Sequence, residues 1–164
     1  MPWARANPRV LPDNQGLLIC DDPGTLTCLA LDGAFRWQTK LPGACSAQAT
    51  LIDLQGITRI AIATGHTVSL LDQAGRVHWQ TALGKEDDNI ECSPTPMSMG
   101  TETLLLCTVG EGALCALGLD GTKRWETPFG AATDDTIIVL PEATPDGVRI
   151  LCTGLWGNLY AFTE

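Results

Sequence analysis

The sequence predicts an all-β protein, a β-propeller of four four-stranded blades per chain. Three observations predict it. Trp37, Trp79 and Trp125 recur 42 and 46 residues apart, each closing the same short pattern, and a period in the forties is the length of one propeller blade. Between them lie strand-length apolar runs separated by Gly, Asp, Asn and Pro, the residues that tight turns require. No stretch carries the 3.6-residue apolar period of a helix.

The repeated unit reads as an apolar strand, an Asp/Gly turn and a short strand bearing tryptophan. Its copies are built on Asp32, Gly33 and Trp37, on Asp72, Gly75 and Trp79, and on Asp120, Gly121 and Trp125. The chain is expected to form a single propeller domain. Blade one covers 8–43. Blade two covers 44–84, with strands at 47–53, 59–63, 68–71 and 77–82. Blade three covers 85–130, with strands at 93–98, 103–109, 113–119 and 123–127. Blade four covers 131–164 and matches the two middle strands within 148–162. No tryptophan strand follows there. The segment Pro2, Trp3, Ala4, Arg5 resembles that outer strand, so residues 1–7 are assigned to close blade four, with Trp3 in the tryptophan position.

A blade without its outer strand presents an open edge, which invites pairing with another chain. The N-terminal strand can complete its own blade four and give a four-bladed ring. It can instead complete blade four of a second copy and give an eight-bladed ring from two chains. Forcing four blades into one ring doubles the angle between neighbours relative to a ring of about eight. A closed two-fold assembly also removes every open blade face. The homodimer is therefore the favoured expectation, with a four-bladed monomer or a half-propeller docked on another protein as the alternatives.

The blade pattern resembles the pyrroloquinoline-quinone-like propeller repeat. Gly24, Leu26, Leu29, Leu31, Asp32 and Trp37 follow that repeat with a shortened turn. Gly112 to Leu117 and Gly157 to Phe162 follow its first half, and Cys92-Ser93-Pro94 is similar to the Ser-Ser-Pro that opens its innermost strand. The resemblance implies the propeller fold over nearly the whole chain. The family includes quinoprotein dehydrogenases and a periplasmic lipoprotein scaffold for outer-membrane protein assembly. The dehydrogenases carry a Cys-Cys dipeptide beside the cofactor, and this sequence contains none.

Charge narrows the partners. Ten Lys and Arg stand against 19 Asp and Glu, for a net charge of −9. An acidic chain repels phosphate backbones and anionic lipid, so nucleic acid and membrane are not expected partners. No run approaches the ~18 apolar residues of a membrane helix. The N-terminal residues lack the apolar core of a secretion signal, which predicts a cytoplasmic protein with its seven cysteines reduced.

The candidate partner-binding residues sit in loops expected on one propeller face. Asp87-Asp88 and Asp134-Asp135 precede innermost strands of consecutive blades, Glu111 sits at a hairpin tip, and Trp156 is a tip residue of the kind that anchors interfaces. The acidic cluster suits a basic protein partner or calcium, although no spaced calcium loop is present. Cys20 with Cys28 and Cys107 with Cys115 are expected to face each other across hairpins as small buried hydrophobes. Cys45 and Cys92 stand near starts of innermost strands, in place to line the channel. His66 and His78 join no acid–nucleophile arrangement, and no hydrolase, phosphate-loop or metalloprotease motif occurs. The expectation is a non-catalytic scaffold with no catalytic residues, no metal and no cofactor. A small-ligand or calcium-binding sensor is the alternative, and a quinone-dependent dehydrogenase comes after it.

Overall fold

The computed structural model describes residues 8–110, 112–130, 137–140, 148–154 and 157–163. They form antiparallel sheets, each from consecutive strands of the chain. The first holds β1 (Arg9–Val10), β2 (Leu17–Cys20), β3 (Thr25–Leu29) and β4 (Phe35–Lys40). The second holds β5 (Thr50–Leu54), β6 (Ile57–Thr64), β7 (Thr67–Asp72) and β8 (Val77–Ala82). The third holds β9 (Thr95–Met99), β10 (Glu102–Val109), β11 (Ala113–Gly118) and β12 (Lys123–Pro128). The fourth holds β13 (Ile137–Val139), β14 (Val148–Thr153) and β15 (Leu159–Thr163), three strands among the described residues. Each sheet is a blade, as the tryptophan period requires.

Burial separates inner blades from end blades. In blades two and three the middle strands are buried on both faces. Residues 60–64 of β6 and 67–71 of β7 are buried without a break, as are 104–109 of β10 and 114–118 of β11. Continuous burial, apolar but for Thr64, Thr67, Ser69 and Thr108, is what a sheet between two other sheets needs. In blade one the pattern alternates: Leu18, Cys20, Leu26 and Cys28 are buried, while Leu17, Ile19 and Leu29 are half-exposed. Blade four alternates likewise, with Ile150 and Cys152 buried and Leu159 exposed. One core cluster joins blades two, three and four through residues such as Val68, Met97, Leu105, Leu117 and Ile150. A second joins blades one and two through Leu26, Ile60, Ile62 and Leu71.

Three expectations change in detail. The innermost strands begin later than the alternation suggests, at Thr50 and Thr95. Cys45, Ala47, Ile90 and Cys92 ahead of them are buried links that cross between blade edges, so their apolar character reflects packing rather than pairing. Cys107 does pair with Cys115 across β10 and β11, but Cys20 opposes Leu26 and Cys28 opposes Leu18, because a tight turn over residues 21–24 moves the register. Third, Asp72 is not equivalent in position to Asp32 and Asp120. All three turns share one skeleton, in which the first residue's N–H reaches the fifth residue's carbonyl: Ala30 to Ala34, Asp72 to Arg76 and Gly118 to Thr122. Asp32 and Asp120 stand third in that turn, and Asp72 stands first. Each nevertheless accepts the fifth residue's N–H on its Oδ1, at 2.9 to 3.0 Å. A carboxylate can cap the same donor from either position.

Candidate functional site

The tryptophans do one job, visible twice. Trp37 on β4 donates its Nε1 to the Gln73 carbonyl of the next blade at 2.9 Å, and Thr39 donates its hydroxyl to the Gly75 carbonyl at 2.6 Å. Trp79 on β8 donates to the Leu119 carbonyl at 2.7 Å, and Thr81 to the Gly121 carbonyl at 2.6 Å. The indole lies flat against the turn glycine. A Cβ on Gly75 would stand 2.5 Å from the Trp37 ring, and one on Gly121 2.8 Å from the Trp79 ring. Both glycines hold positive φ, at +78° and +83°, so close approach and backbone both demand glycine there. The Trp-x-Thr strand of one blade thus clasps the Asp/Gly turn of the next.

At the ends of the array the clasp is incomplete. Trp125 and Thr127 on β12 repeat the donors, yet no described residue accepts from either side chain. They line a cleft of about 480 Å³ with Met97, Met99, Ile150 and Phe162. In blade one the turn repeats the acceptors, with Gly33 at φ +88° and no atom of a described residue within 4 Å of its would-be Cβ. Leu31 and Phe35 beside it are about 60% exposed, at 58% and 62%.

Of the predicted partner-binding residues, Asp87 and Asp88 are described. Asp87 is exposed. Asp88 turns inward: its Oδ2 accepts the Lys85 N–H at 2.6 Å, and its carboxylate packs against Gly84 and Gly110. It is therefore tied into the loop that joins blades two and three, beside a cleft of about 450 Å³ that also includes Lys85, Cys115 and Glu126. Trp3, Glu111, Asp134, Asp135 and Trp156 lie outside the described residues. Among those described, no group of three or more His, Cys, Asp or Glu could hold a metal ion.

All seven cysteines are free and buried, so Cys45 and Cys92 line no open channel. The sequence missed their true pairing. Cys20 on β2 hydrogen-bonds Cys45 in the following link, which pushes the Cys20 thiol up and the Cys45 thiol down. Cys107 hydrogen-bonds Cys92, and the Thr108 N–H donates to the Cys92 sulfur at 3.1 Å; these bonds bring Cys92 down to about 7. Burial, with the Glu126 charge behind it, pushes Cys115 up to about 12, and burial pushes Cys152 up to about 11. These contacts join a strand to a distant link, which no local spacing announces.

Residues 3–145 match the family described as outer membrane protein assembly factor BamB. No curated protein matches the chain in sequence. Among solved structures, BamB from Moraxella catarrhalis is similar at TM-score 0.66 and 13% identity, over 99% of this chain and 47% of that one. The BBS1N structure solved in complex with ARL6DN is similar at 0.61 and 11% identity, over 96% and 50%. Quinohemoprotein alcohol dehydrogenase from Comamonas testosteroni is similar at 0.53 and 14% identity, over 82% and 22%. At these identities the likeness shows the fold, a β-propeller, and the chain spans half or less of each of those proteins.

Proposed function

The chain belongs to the BamB-like family of propeller repeats, and on that premise we propose that it is a non-catalytic scaffold for protein assembly, acting as a half-propeller completed by a second copy. The carrying observation is the contrast in burial: inner blades are buried on both faces, and the end blades keep apolar side chains half-exposed on one. A propeller buries both faces of every blade, so each end face needs a neighbour. Four blades spanning about half of the BamB and BBS1N chains fit a ring of about eight closed by two copies. Residues 1–7 supply the outer strand of blade four in this reading. The family's name speaks of assembly, and one similar structure was solved as a protein complex, which supports protein partners here too.

The net charge of −9 favours a partner with a basic surface, met through Asp87 and the loops that carry Glu111, Asp134, Asp135 and Trp156. The reading keeps the protein in the cytoplasm. In that reading the medium is reducing and the seven cysteines work as buried thiols. Light scattering after size exclusion tests the assembly. The expected mass is twice that of the 17.5 kDa chain at micromolar concentration. A single-chain mass at every concentration refutes the two-copy ring.

A further inference from the structure

The Asp/Gly turn of blade one is a preformed receptor with no described occupant. Its skeleton is that of the two occupied turns: Ala30 N–H to Ala34 carbonyl at 2.7 Å, Gly33 N–H to Ala30 carbonyl at 2.9 Å, and Ala34 N–H to Asp32 Oδ1 at 3.0 Å. The occupied turns use the carbonyls of Gln73 and Gly75, or of Leu119 and Gly121. The equivalent oxygens belong to Leu31 and Gly33, and no described residue donates to either. No described residue lies over Gly33, where an indole lies over Gly75 and Gly121. The chemistry that fits is therefore an indole: a flat apolar ring with one N–H aimed at the Leu31 carbonyl.

We propose that this site holds the indole of Trp3 of the same chain, with Nε1 donating to the Leu31 carbonyl, so that the N-terminal segment is pinned across the open face of blade one. Each occupied turn is clasped by the tryptophan that precedes its blade in the chain, and Trp3 is the tryptophan that precedes blade one. The reach suffices. Trp37, Cys28, Leu18 and Arg9 lie on one register line, so the outermost and innermost strands are three strand spacings apart, ~14 Å. The six residues from Trp3 to Arg9 extend to ~20 Å. The docking does not depend on how many chains close the ring.

The test is hydrogen exchange of the five indole N–H groups in 15N-labelled full-length protein, with Trp3 assigned by Trp3→Phe. The expected result is exchange at least tenfold slower for Trp3 than for a free tryptophan amide. Gly33→Asn, which tolerates positive φ but fills the site, should abolish that protection. Gly56→Asn is the control, at another open turn glycine with φ +84°; it should change nothing. Trp3 exchanging at the free rate in the parent protein overturns the assignment, as does protection that survives Gly33→Asn. If Gly33→Asn exposes a different tryptophan instead, the occupant is another strand and the assignment to Trp3 fails. The solution mass of the same samples keeps the two readings apart. A monomer with protected Trp3 sinks the two-copy ring alone, and a dimer with fast-exchanging Trp3 sinks the docking alone.

Discussion

Trp79 and Gly121 show how one residue pair can set the distance between two blades. The indole contributes its N–H to the Leu119 carbonyl and its face to a glycine that has no Cβ to obstruct it. Trp79→Phe keeps most of the apolar area but removes the donor and leaves that carbonyl unpaired, a cost of about 1–3 kcal/mol. Gly121→Ala adds a methyl 2.8 Å from the ring at φ +83°, which costs more than the ~1 kcal/mol of strain alone because the ring must also move. Urea unfolding of both variants checks the order. Gly121→Ala as stable as the parent would mean that the clasp is loose. The aspartates of the three turns matter less individually, since Asp72 caps the same donor from a different position than Asp32 and Asp120 do.

At the scale of the element, the two middle strands of an inner blade carry the core. Leu105 on β10 is fully buried within the cluster that joins blades two, three and four. Leu105→Ala should cost about 2–5 kcal/mol, in the range for a large buried side chain whose cavity cannot collapse. Leu17 on β2 holds a comparable strand position but faces the open side of blade one. Leu17→Ala in dilute protein should cost about 1 kcal/mol or less, since most of its transfer free energy is not yet realised. Equal losses at the two positions, by thermal or urea unfolding, would mean that the end face is already covered. Strand identity and order were legible from the alternation of apolar and turn residues. The later starts of β5 and β9 were not, because a buried link and a buried strand have the same composition.

At the scale of the molecule, blades stack so that each completes its neighbour, as repeat units do. The two ends are then the least stable parts until something covers them. If a second copy covers them, association and stability are linked, and the melting temperature should rise by several degrees as concentration increases from about 1 to about 100 μM. A melting temperature independent of concentration, alongside a single-chain mass, would assign the end faces to a different protein. The free cysteines belong to this scale too, because Cys20 meets Cys45 only once blade one has packed beside the link to blade two.

By itself the sequence determined the all-β class, the four blades and the recurring Trp, Asp and Gly positions. These follow from a period of about forty residues, from strand alternation and from turn chemistry, all local or repeating along the chain. Only the tertiary structure decided which cysteines meet, that Asp88 is spent on its own loop, and that the blade-one turn and Trp125 have no counterpart among the described residues. Those properties depend on how links, loops and blades pack together, from three residues apart for Lys85 and Asp88 to 15 and 25 for the cysteine pairs, and no repeat along the chain marks them.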